Sequence, residues 1–261
     1  MYYNRGGVYS EMGEYAKAER DYTSAIELNP RYAEAYNNRG LNYNDMGAYK
    51  QALVDYNRAV ELNPEDAVAY YNRGNTYDYM GTYEQAVADY TQAIELDPDL
   101  AEAYWGRGNT YADMGAYEQA LADYDSALEL NPELAEVYYN RGNTYVDIGA
   151  YEQALADYDL AIELDLKLAE AYINRGTIYT DMGEYEQALV NFEYAAELMM
   201  HPFIYYNGAR AHAQLGHVEE ACAWLGEAIA LDARRRECAR TNADFDSIRD
   251  AACFRALVGE E

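Results

Sequence analysis

The 261 residues carry 47 acidic side chains against 19 lysines and arginines, a net charge of −28 at pH 7. A field of that sign repels phosphate backbones and anionic membrane surfaces, so we expect no nucleic-acid partner and no membrane partner. Half of the residues are apolar, yet no stretch approaches the roughly eighteen consecutive apolar residues of a membrane span. Basic or neutral protein segments remain as partners.

The N-terminal residues and the cysteines bear on the compartment of the protein. Residues 1–10 have no basic stretch leading into an apolar run, so we do not expect a secretory signal. Cys222, Cys238 and Cys253 are odd in number and lie together near the end, which does not resemble a disulfide framework. We therefore expect a cytoplasmic protein in a reducing environment.

A unit of 34 residues recurs in register from the first residue to about Arg235, and Ala101–Leu134 is a representative copy. Within the unit, Tyr falls at positions 4, 11, 17 and 24, Gly at 8 and 15, Ala at 20 and 27, and Pro at 32. A fixed period in this range indicates stacked helical units that contact their neighbours. Repeat one is truncated, with Met1 at position 3, and repeats two to seven begin at Ala33, Ala67, Ala101, Ala135, Ala169 and Pro202.

Each repeat is predicted to form two helices, at positions 2–14 and at about 17–30. The first should end at the glycine of position 15, such as Gly115, because glycine readily takes the left-handed conformation that closes a helix. Asn or Asp then precedes Pro, as in Asn63-Pro64, where we expect the polar side chain to cap the next helix and Pro to occupy its first turn. Repeat five has Leu166 instead of this Pro, which predicts a less rigid junction.

This order of aromatic, Gly, Tyr, Ala and Pro residues resembles the tetratricopeptide repeat (TPR) family, although Arg stands at position 7 where that family usually has Leu. The resemblance implies an all-α, right-handed superhelical solenoid of about seven helical hairpins in residues 1–235. Residues 236–261 would form C-terminal capping helices, with Phe245, Ile248, Phe254 and Leu257 in an amphipathic segment. Their sequence resembles the Asp-Phe-Asp…Arg…Phe-x-x-Leu ending of some bacterial members.

Two repeated patterns are interpreted as structural. Gly or Ala at positions 8, 20 and 27 lets the helices of a hairpin approach each other, and Tyr rings, which account for most of the 31 tyrosines, fill the surrounding space. Arg at position 7 accompanies Asp at position 23 in repeats one to five, and in repeat seven both depart together, to Gly208 and Trp224. We expect an Arg–Asp ion pair that joins the two helices of a hairpin.

One face of the first helix is not explained by packing, and in the TPR family it lines the concave surface. Asn occupies position 6 in every repeat except the fourth, where Gly106 leaves room for a bulky ligand group, and it occupies position 9 in repeats three to five. An Asn amide both donates and accepts hydrogen bonds, so this column is similar to the asparagine ladder of the N-acetylglucosamine-transferring members. The candidate peptide-binding residues are Asn38, Tyr71, Asn72, Asn75, Trp105, Asn109, Tyr139, Asn140, Asn143 and Asn174.

The aromatic candidates stand at position 5, where a Lys or Arg side chain of a ligand would lie over their rings. Acidic residues surround them, and these are Glu102, Glu136, Asp113 and Asp147. The chaperone-binding members of the family instead use a carboxylate clamp that needs Lys and Arg. Here the corresponding positions hold Glu and aromatic residues, which argues against a clamp.

No catalytic, metal-binding or cofactor-binding constellation is expected, because His201, His212, His217 and Cys222 lack recognised ligand spacing and no phosphate-binding glycine loop is present. We predict a non-enzymatic protein–protein interaction scaffold that binds an extended basic or neutral peptide segment in an acidic groove. Two alternatives stay open. The chain would be a homo-oligomerising assembly module that pairs through its truncated N-terminal repeat, or the regulatory TPR domain of a larger enzyme.

Overall fold

A computed structural model describes residues 1–259, and every regular element among them is helical. The chain divides into two compact units, Met1–Glu133 and Leu134–Glu261. The first unit contains four hairpins, formed by α1 Tyr2–Glu11 with α2 Tyr15–Leu28, α3 Ala33–Asp45 with α4 Tyr49–Leu62, α5 Ala67–Tyr79 with α6 Tyr83–Leu96, and α7 Ala101–Asp113 with α8 Tyr117–Leu130.

The second unit contains three hairpins and a closing segment. The hairpins are α9 Ala135–Asp147 with α10 Tyr151–Leu164, α11 Ala169–Asp181 with α12 Tyr185–Leu198, and α13 Pro202–Gln214 with α14 Val218–Leu231. The closing segment consists of α15 Arg235–Thr241, the 3-10 helix Ala243–Ile248 and α16 Ala252–Val258. The all-α architecture of repeated helical hairpins is therefore confirmed.

The glycine at position 15 ends the first helix of each hairpin, as predicted. In repeat four, Gly115 has a φ of +73°, and the backbone N–H of Ala116 donates to the carbonyl oxygen of Tyr111 at 2.8 Å. This left-handed closure recurs at Gly13, Gly47, Gly81, Gly149, Gly183 and Gly216. The first helix occupies positions 1–13 from repeat two onward, one residue earlier than expected.

The junctions between hairpins differ from the prediction. Asp165 ends α10, and its Oδ1 accepts from the backbone N–H of Lys167 at 2.9 Å, although Leu166 stands where other repeats have Pro. The same turn occurs at Asn29, Asn63, Asp97 and Asn131. The polar residue therefore closes a turn after one helix and does not cap the next, because the next helix starts four positions later. Asp66, which does cap α5, accepts from the backbone N–H of Ala69 at 3.2 Å.

The tyrosine at position 24 is the centre of the hairpin core in repeats one to five. Tyr22, Tyr56, Tyr90, Tyr124 and Tyr158 are at most 2% exposed. A Cβ at Gly142 would lie only 2.7 Å from the ring of Tyr158, so the helices pack closely because position 8 has no side chain. The packing interpretation of positions 8 and 24 is confirmed.

The predicted Arg–Asp pair is present in repeats one to five and has a second partner. Arg39 donates to both carboxylate oxygens of Asp55, at 2.6 and 2.7 Å, and its Nη1 donates to Thr23 Oγ1 of the preceding hairpin at 3.0 Å. In repeat seven, the ring of Trp224 lies against Gly208, where a Cβ would be 2.3 Å away. An aromatic contact thus replaces the ion pair, which explains why both positions change together.

The closing segment buries an apolar face against α13 and α14. Phe245, Ile248, Phe254 and Val258 are at most 2% exposed and share a core with α13 and α14, while Leu257 is half-buried at its edge. Hydrogen bonds fix the segment further, including Arg210 Nε to Asp244 at 2.5 Å and Ser247 Oγ to the carbonyl oxygen of Ala213 at 2.8 Å. These contacts cover the last hairpin.

Cys222 of α14 forms a disulfide with Cys253 of α16, with their Cα atoms 6.0 Å apart. This bond corrects the interpretation that the cysteines do not form a disulfide. The two residues are 31 positions apart in sequence and meet only because α16 packs on α14. Disulfides are rare in reducing compartments, so the cysteines no longer support the expected cytoplasmic location.

Candidate functional site

The candidate residues lie on the first helices of their hairpins. In the first unit, Asn38 lies on α3, Tyr71, Asn72 and Asn75 lie on α5, and Trp105 and Asn109 lie on α7. In the second unit, Tyr139, Asn140 and Asn143 lie on α9, and Asn174 lies on α11. All are half-buried except Asn72, which is 8% exposed.

A cavity of about 330 Å³ lies between α5 and α7 in the first unit. We call it the aromatic cavity, and it is lined by Tyr71, Asn75, Asp78, Tyr79, Tyr90, Trp105, Gly106 and Asn109. Four of the candidate residues are thus brought together here. The other lining residues were not candidates.

Glycine at position 106 shapes this cavity. A Cβ at Gly106 would lie 2.8 Å from the ring of Tyr90, closer than such atoms approach in proteins. Tyr90 donates its hydroxyl hydrogen to Asn75 Oδ1 at 2.6 Å, and the ring of Tyr71 lies 6.0 Å from that of Tyr90. Tyr79 stacks on Tyr49 with centroids 5.8 Å apart. The walls are therefore rings held in place by contacts of their own.

Asp78 supplies the carboxylate of the aromatic cavity. Its Oδ1 accepts from Thr110 Oγ1 at 2.7 Å, and burial raises its pKa, with a further contribution from the charge of Asp113. Burial likewise raises the pKa of the Tyr71 hydroxyl, and the nearby charge of Glu102 acts in the same direction. Both shifts arise first from burial, and nearby acidic side chains add to them. The lining includes no Lys, Arg or His.

The indole N–H of Trp105 is buried and has no hydrogen-bond acceptor within residues 1–259. A buried donor without a partner costs about 1–3 kcal/mol, so such groups are rare in folded proteins. Trp105 itself is half-buried and forms part of the cavity wall. A residue of the cavity wall therefore carries a buried donor that no group of residues 1–259 satisfies.

A second cavity, of about 270 Å³, lies between α9 and α11 in the second unit. We call it the amide cavity, and it is lined by Asn143, Val146, Asp147, Tyr151, Tyr158, Asn174, Thr177, Ile178 and Asp181. Asn174 Nδ2 donates to Asn143 Oδ1 at 2.8 Å and to the Tyr139 hydroxyl at 3.3 Å. Tyr158 also donates to Asn143 Oδ1, at 2.7 Å. Three candidate residues are thus bonded to one another.

The remaining asparagines are also engaged within the protein. Asn38 Nδ2 donates to the Tyr3 hydroxyl at 2.9 Å, and the buried Asn72 donates to Asn37 Oδ1 at 3.2 Å. Asn109 Oδ1 accepts from the Tyr124 hydroxyl at 2.8 Å. The column of amides predicted from position 6 therefore exists, but much of its hydrogen-bonding capacity links one helix to the next.

Sequence reasoning missed four residues of the aromatic cavity as candidates. Tyr90 was assigned to the core because it occupies position 24, and its ring does pack there while one edge reaches the cavity. Asp78 and Tyr79 occupy positions 12 and 13, and the signal for Tyr79 was an aromatic residue where most repeats have Asp. Gly106 interrupts the column of Asn residues at position 6, and this interruption is the sequence signal for the cavity.

Within residues 1–259 no group of three or more His, Cys, Asp or Glu side chains is arranged to hold a metal ion. His212 and His217 lie together, with their Nδ1 atoms 3.4 Å apart, and burial lowers the pKa of His212. Over the same residues, no helix combines the length and apolar character needed to cross a bilayer.

Profiles of known families match most of residues 1–227. The profile described as TPR repeat matches residues 40–81, 74–115, 108–149 and 142–183, and profiles described as tetratricopeptide repeat match residues 1–32, 169–198 and 204–227. A comparison with curated protein sequences finds no significant match.

Solved structures of other proteins are similar to the structure of this chain. YrrB, described as a TPR protein with an unusual peptide-binding site, is 29% identical with a TM-score of 0.61, over 72% of this chain and 98% of YrrB. MamA is 25% identical with a TM-score of 0.57, over 63% of this chain and 96% of MamA. A tetratricopeptide repeat protein from Parabacteroides merdae shares the fold, with 19% identity and a TM-score of 0.66 over 95% of this chain and 98% of its own. Because the repeat profiles match well over half of the chain, this protein belongs to the tetratricopeptide repeat family.

Proposed function

We propose that the protein is a non-enzymatic scaffold that binds an extended peptide segment of another protein on the first-helix face of its hairpins. The TPR fold is typical of protein-interaction scaffolds, and the similar protein YrrB is described as having a peptide-binding site. The single observation that carries the proposal is the aromatic cavity, which holds Tyr71, Asn75, Trp105 and Asn109 around one opening.

The chemistry of that opening favours a peptide. Ring faces of Tyr71, Tyr79 and Trp105 offer apolar area to a side chain, while the amides of Asn75 and Asn109 stand beside them. Concave sites that combine aromatic walls with a few polar groups are typical ligand sites. Aromatic residues, Trp and Tyr above all, also dominate the binding energy of protein interfaces.

The negative charge of the protein favours some peptides over others. The net charge is −28, and Glu102 and Asp113 lie exposed on the same helix as Trp105. A basic segment is attracted by this field and an acidic one is repelled, which favours a basic or neutral partner. We expect the affinity to fall as salt is added, because salt screens exposed charges.

The test compares capture by the parent protein with capture by Trp105→Ala. A partner is isolated from a lysate of the source organism, its bound segment is mapped, and the affinity of that segment is measured by calorimetry. Loss of an anchoring Trp commonly costs about 2 kcal/mol or more, so Trp105→Ala should weaken binding at least about tenfold. The matched control is Ile173→Ala, which changes the same repeat position in the second unit.

Circular dichroism of both variants establishes that the helices are retained. Equal affinity of the mapped segment for the parent, Trp105→Ala and Asn75→Ala would show that the ligand binds elsewhere, and the proposal would then be wrong.

A further inference from the structure

The aromatic cavity has a more specific ligand chemistry, and this inference rests on the proposed peptide-binding function. We propose that the cavity takes the guanidinium group of one arginine side chain of the bound peptide. The array would then read the ligand at a fixed register, with its Arg between α5 and α7.

The chain itself repeatedly places a guanidinium group over an aromatic ring and bonds it to a carboxylate. Arg107 lies over the ring of Tyr104, with its Cζ 5.8 Å from the centroid, and donates to Asp123 at 2.7 and 2.8 Å. The same grouping of ring, guanidinium and carboxylate recurs at Arg39, Arg73 and Arg141. The aromatic cavity presents rings and a carboxylate without a cation of its own.

The shape and the charge of the aromatic cavity match those of a guanidinium group. Asp78 lines the same cavity as the rings of Tyr71, Tyr79 and Trp105. A guanidinium is planar, stacks on aromatic faces and donates to carboxylates, and it loses its hydration more readily than an ammonium group. A cation at this point would stabilise the charge of Asp78, which burial and Asp113 at present disfavour.

Gly106 leaves space in the aromatic cavity, although glycine lowers the stability of the helix that carries it. Glycine in the middle of a helix is less favourable than other residues, and the remaining repeats have Asn at this position. In the amide cavity the corresponding Asn174 lies in the lining and bonds to Asn143. The aromatic cavity therefore lacks the amide that lines the other cavity, and its wall at position 106 has no side chain.

The test uses a short alanine-based peptide with one arginine and the same peptide with citrulline, which keeps the planar shape and loses the charge. The protein is studied in a Trp224→Phe background, which leaves Trp105 as the single tryptophan, since the chain has two. Fluorescence of Trp105 then reports binding at the cavity directly. We expect the arginine peptide to bind at least about tenfold more tightly than the citrulline peptide, the ratio that one charged hydrogen-bonded contact supplies.

Two variants and one control locate the effect. Asp78→Asn keeps the size of the side chain and its acceptor for Thr110, and it should reduce the preference for arginine to about one. Gly106→Asn should abolish binding of both peptides, because its side chain enters the cavity and its Cβ meets the ring of Tyr90. Asp147→Asn changes an exposed carboxylate of the amide cavity and should leave the preference unchanged.

Equal affinity for the two peptides in the parent protein would overturn the inference, as would a preference that survives Asp78→Asn. This failure differs from failure of the proposed function. If both peptides bind equally and Trp105→Ala weakens both when binding is measured by calorimetry, the peptide groove stands and the guanidinium assignment is wrong. If neither peptide changes the fluorescence of Trp105, the guanidinium assignment is also wrong, and the lysate partner alone then decides the proposed function.

Discussion

The two cavities occupy equivalent places in the repeat, yet four aromatic residues line the first and two line the second. The aromatic cavity has Trp105 at position 5, Gly106 at position 6 of its second repeat and Tyr79 at position 13 of its first. The amide cavity has Asn174 and Asp147 at the last two of these positions, and Asn174 is bonded within the protein. One residue of a repeated column therefore changes the chemistry of the cavity: Asn174 adds an amide that is bonded to Asn143, whereas Gly106 adds no side chain beside the rings.

The two units also differ in covalent structure, since the disulfide lies in the second unit alone among the described residues. Cys253→Ser should lower the unfolding free energy of the second unit by about 2–4 kcal/mol, because it releases a closed loop from the unfolded chain. Hydrogen exchange of α13 and α14 should accelerate, while exchange of α5 and α7 should not. Cys238→Ser, which removes an exposed unpaired thiol, is the control.

Equal protection of α13 and α14 in the parent and in Cys253→Ser would show that noncovalent packing alone holds the closing segment. Reduction of the parent by a dithiol should reproduce the effect of the substitution.

Asn174→Gly should enlarge the amide cavity at a cost of about 1–3 kcal/mol in unfolding free energy. The variant loses the bonds to Asn143 and Tyr139, each worth about 0.5–1.5 kcal/mol, and places glycine inside α11. Urea denaturation measures the change. Asn174→Ala separates the two effects, because it loses the same bonds and keeps helix propensity, and a stability equal to the parent's would contradict the structural role of the amide.

The tyrosine hydroxyls allow a finer comparison within the first unit. Tyr90 donates to Asn75, whereas the buried Tyr56 has no partner, because repeat two has Leu41 at the position where repeat three has Asn75. Tyr90→Phe should therefore cost about 1 kcal/mol of stability, while Tyr56→Phe should be neutral or stabilising. Thermal denaturation of the two variants measures the difference.

Leu41→Asn supplies the missing acceptor and should stabilise the first unit in the presence of Tyr56. The same substitution combined with Tyr56→Phe should bring no gain. A stabilisation that does not depend on the hydroxyl would show that Tyr56 is not the reason for it.

A smaller difference between the units should appear with pH. Burial, and then the neighbouring His217, lowers the pKa of His212 in α13, so the unfolded chain binds this proton at a higher pH than the folded protein does. The stability contributed by the neutral ring is therefore complete above the unfolded pKa of about 6.5 and is lost as the pH falls below it. His212→Tyr places there the residue found at position 11 of other repeats and should remove this part of the pH dependence of the second unit.

Hydrogen exchange at pH 7 and pH 5.5 would measure that loss in α13 and α14. The charged neighbour Glu220 opposes the shift, so Glu220→Gln should enlarge it. An unchanged pH profile in His212→Tyr would assign the dependence to other groups.

Most of the fold could be predicted from the repeat, because the residues that form its helices, turns and ion pairs recur at fixed positions in one local unit. A glycine at position 15 must close a helix, a tyrosine at position 24 faces a position-8 glycine, and Arg107 lies within reach of Asp123 once the hairpin forms. These relations join residues 16 positions apart or fewer and recur in several repeats, so a pattern in one dimension was sufficient to predict them.

The candidate site was predicted in outline and not in detail. The sequence placed Tyr71, Asn75, Trp105 and Asn109 on one helix face, and the structure brings them to one cavity. It could not show that Asn72 is buried against Asn37, or that Asn174 bonds to Asn143, because an amide chooses its partner by distance across neighbouring helices. Periodicity describes where a side chain stands and not which of several polar groups it meets.

The helical hairpins, the glycine turns within them and the Arg–Asp ion pairs could be predicted from the sequence, because each follows from a residue type at a fixed position in a local unit. The bond between Cys222 and Cys253, the place of Tyr90 in a cavity wall and the space beside Gly106 could be seen only in the folded protein. These features depend on contacts between hairpins and with the closing segment, where close packing and not sequence spacing sets which atoms meet.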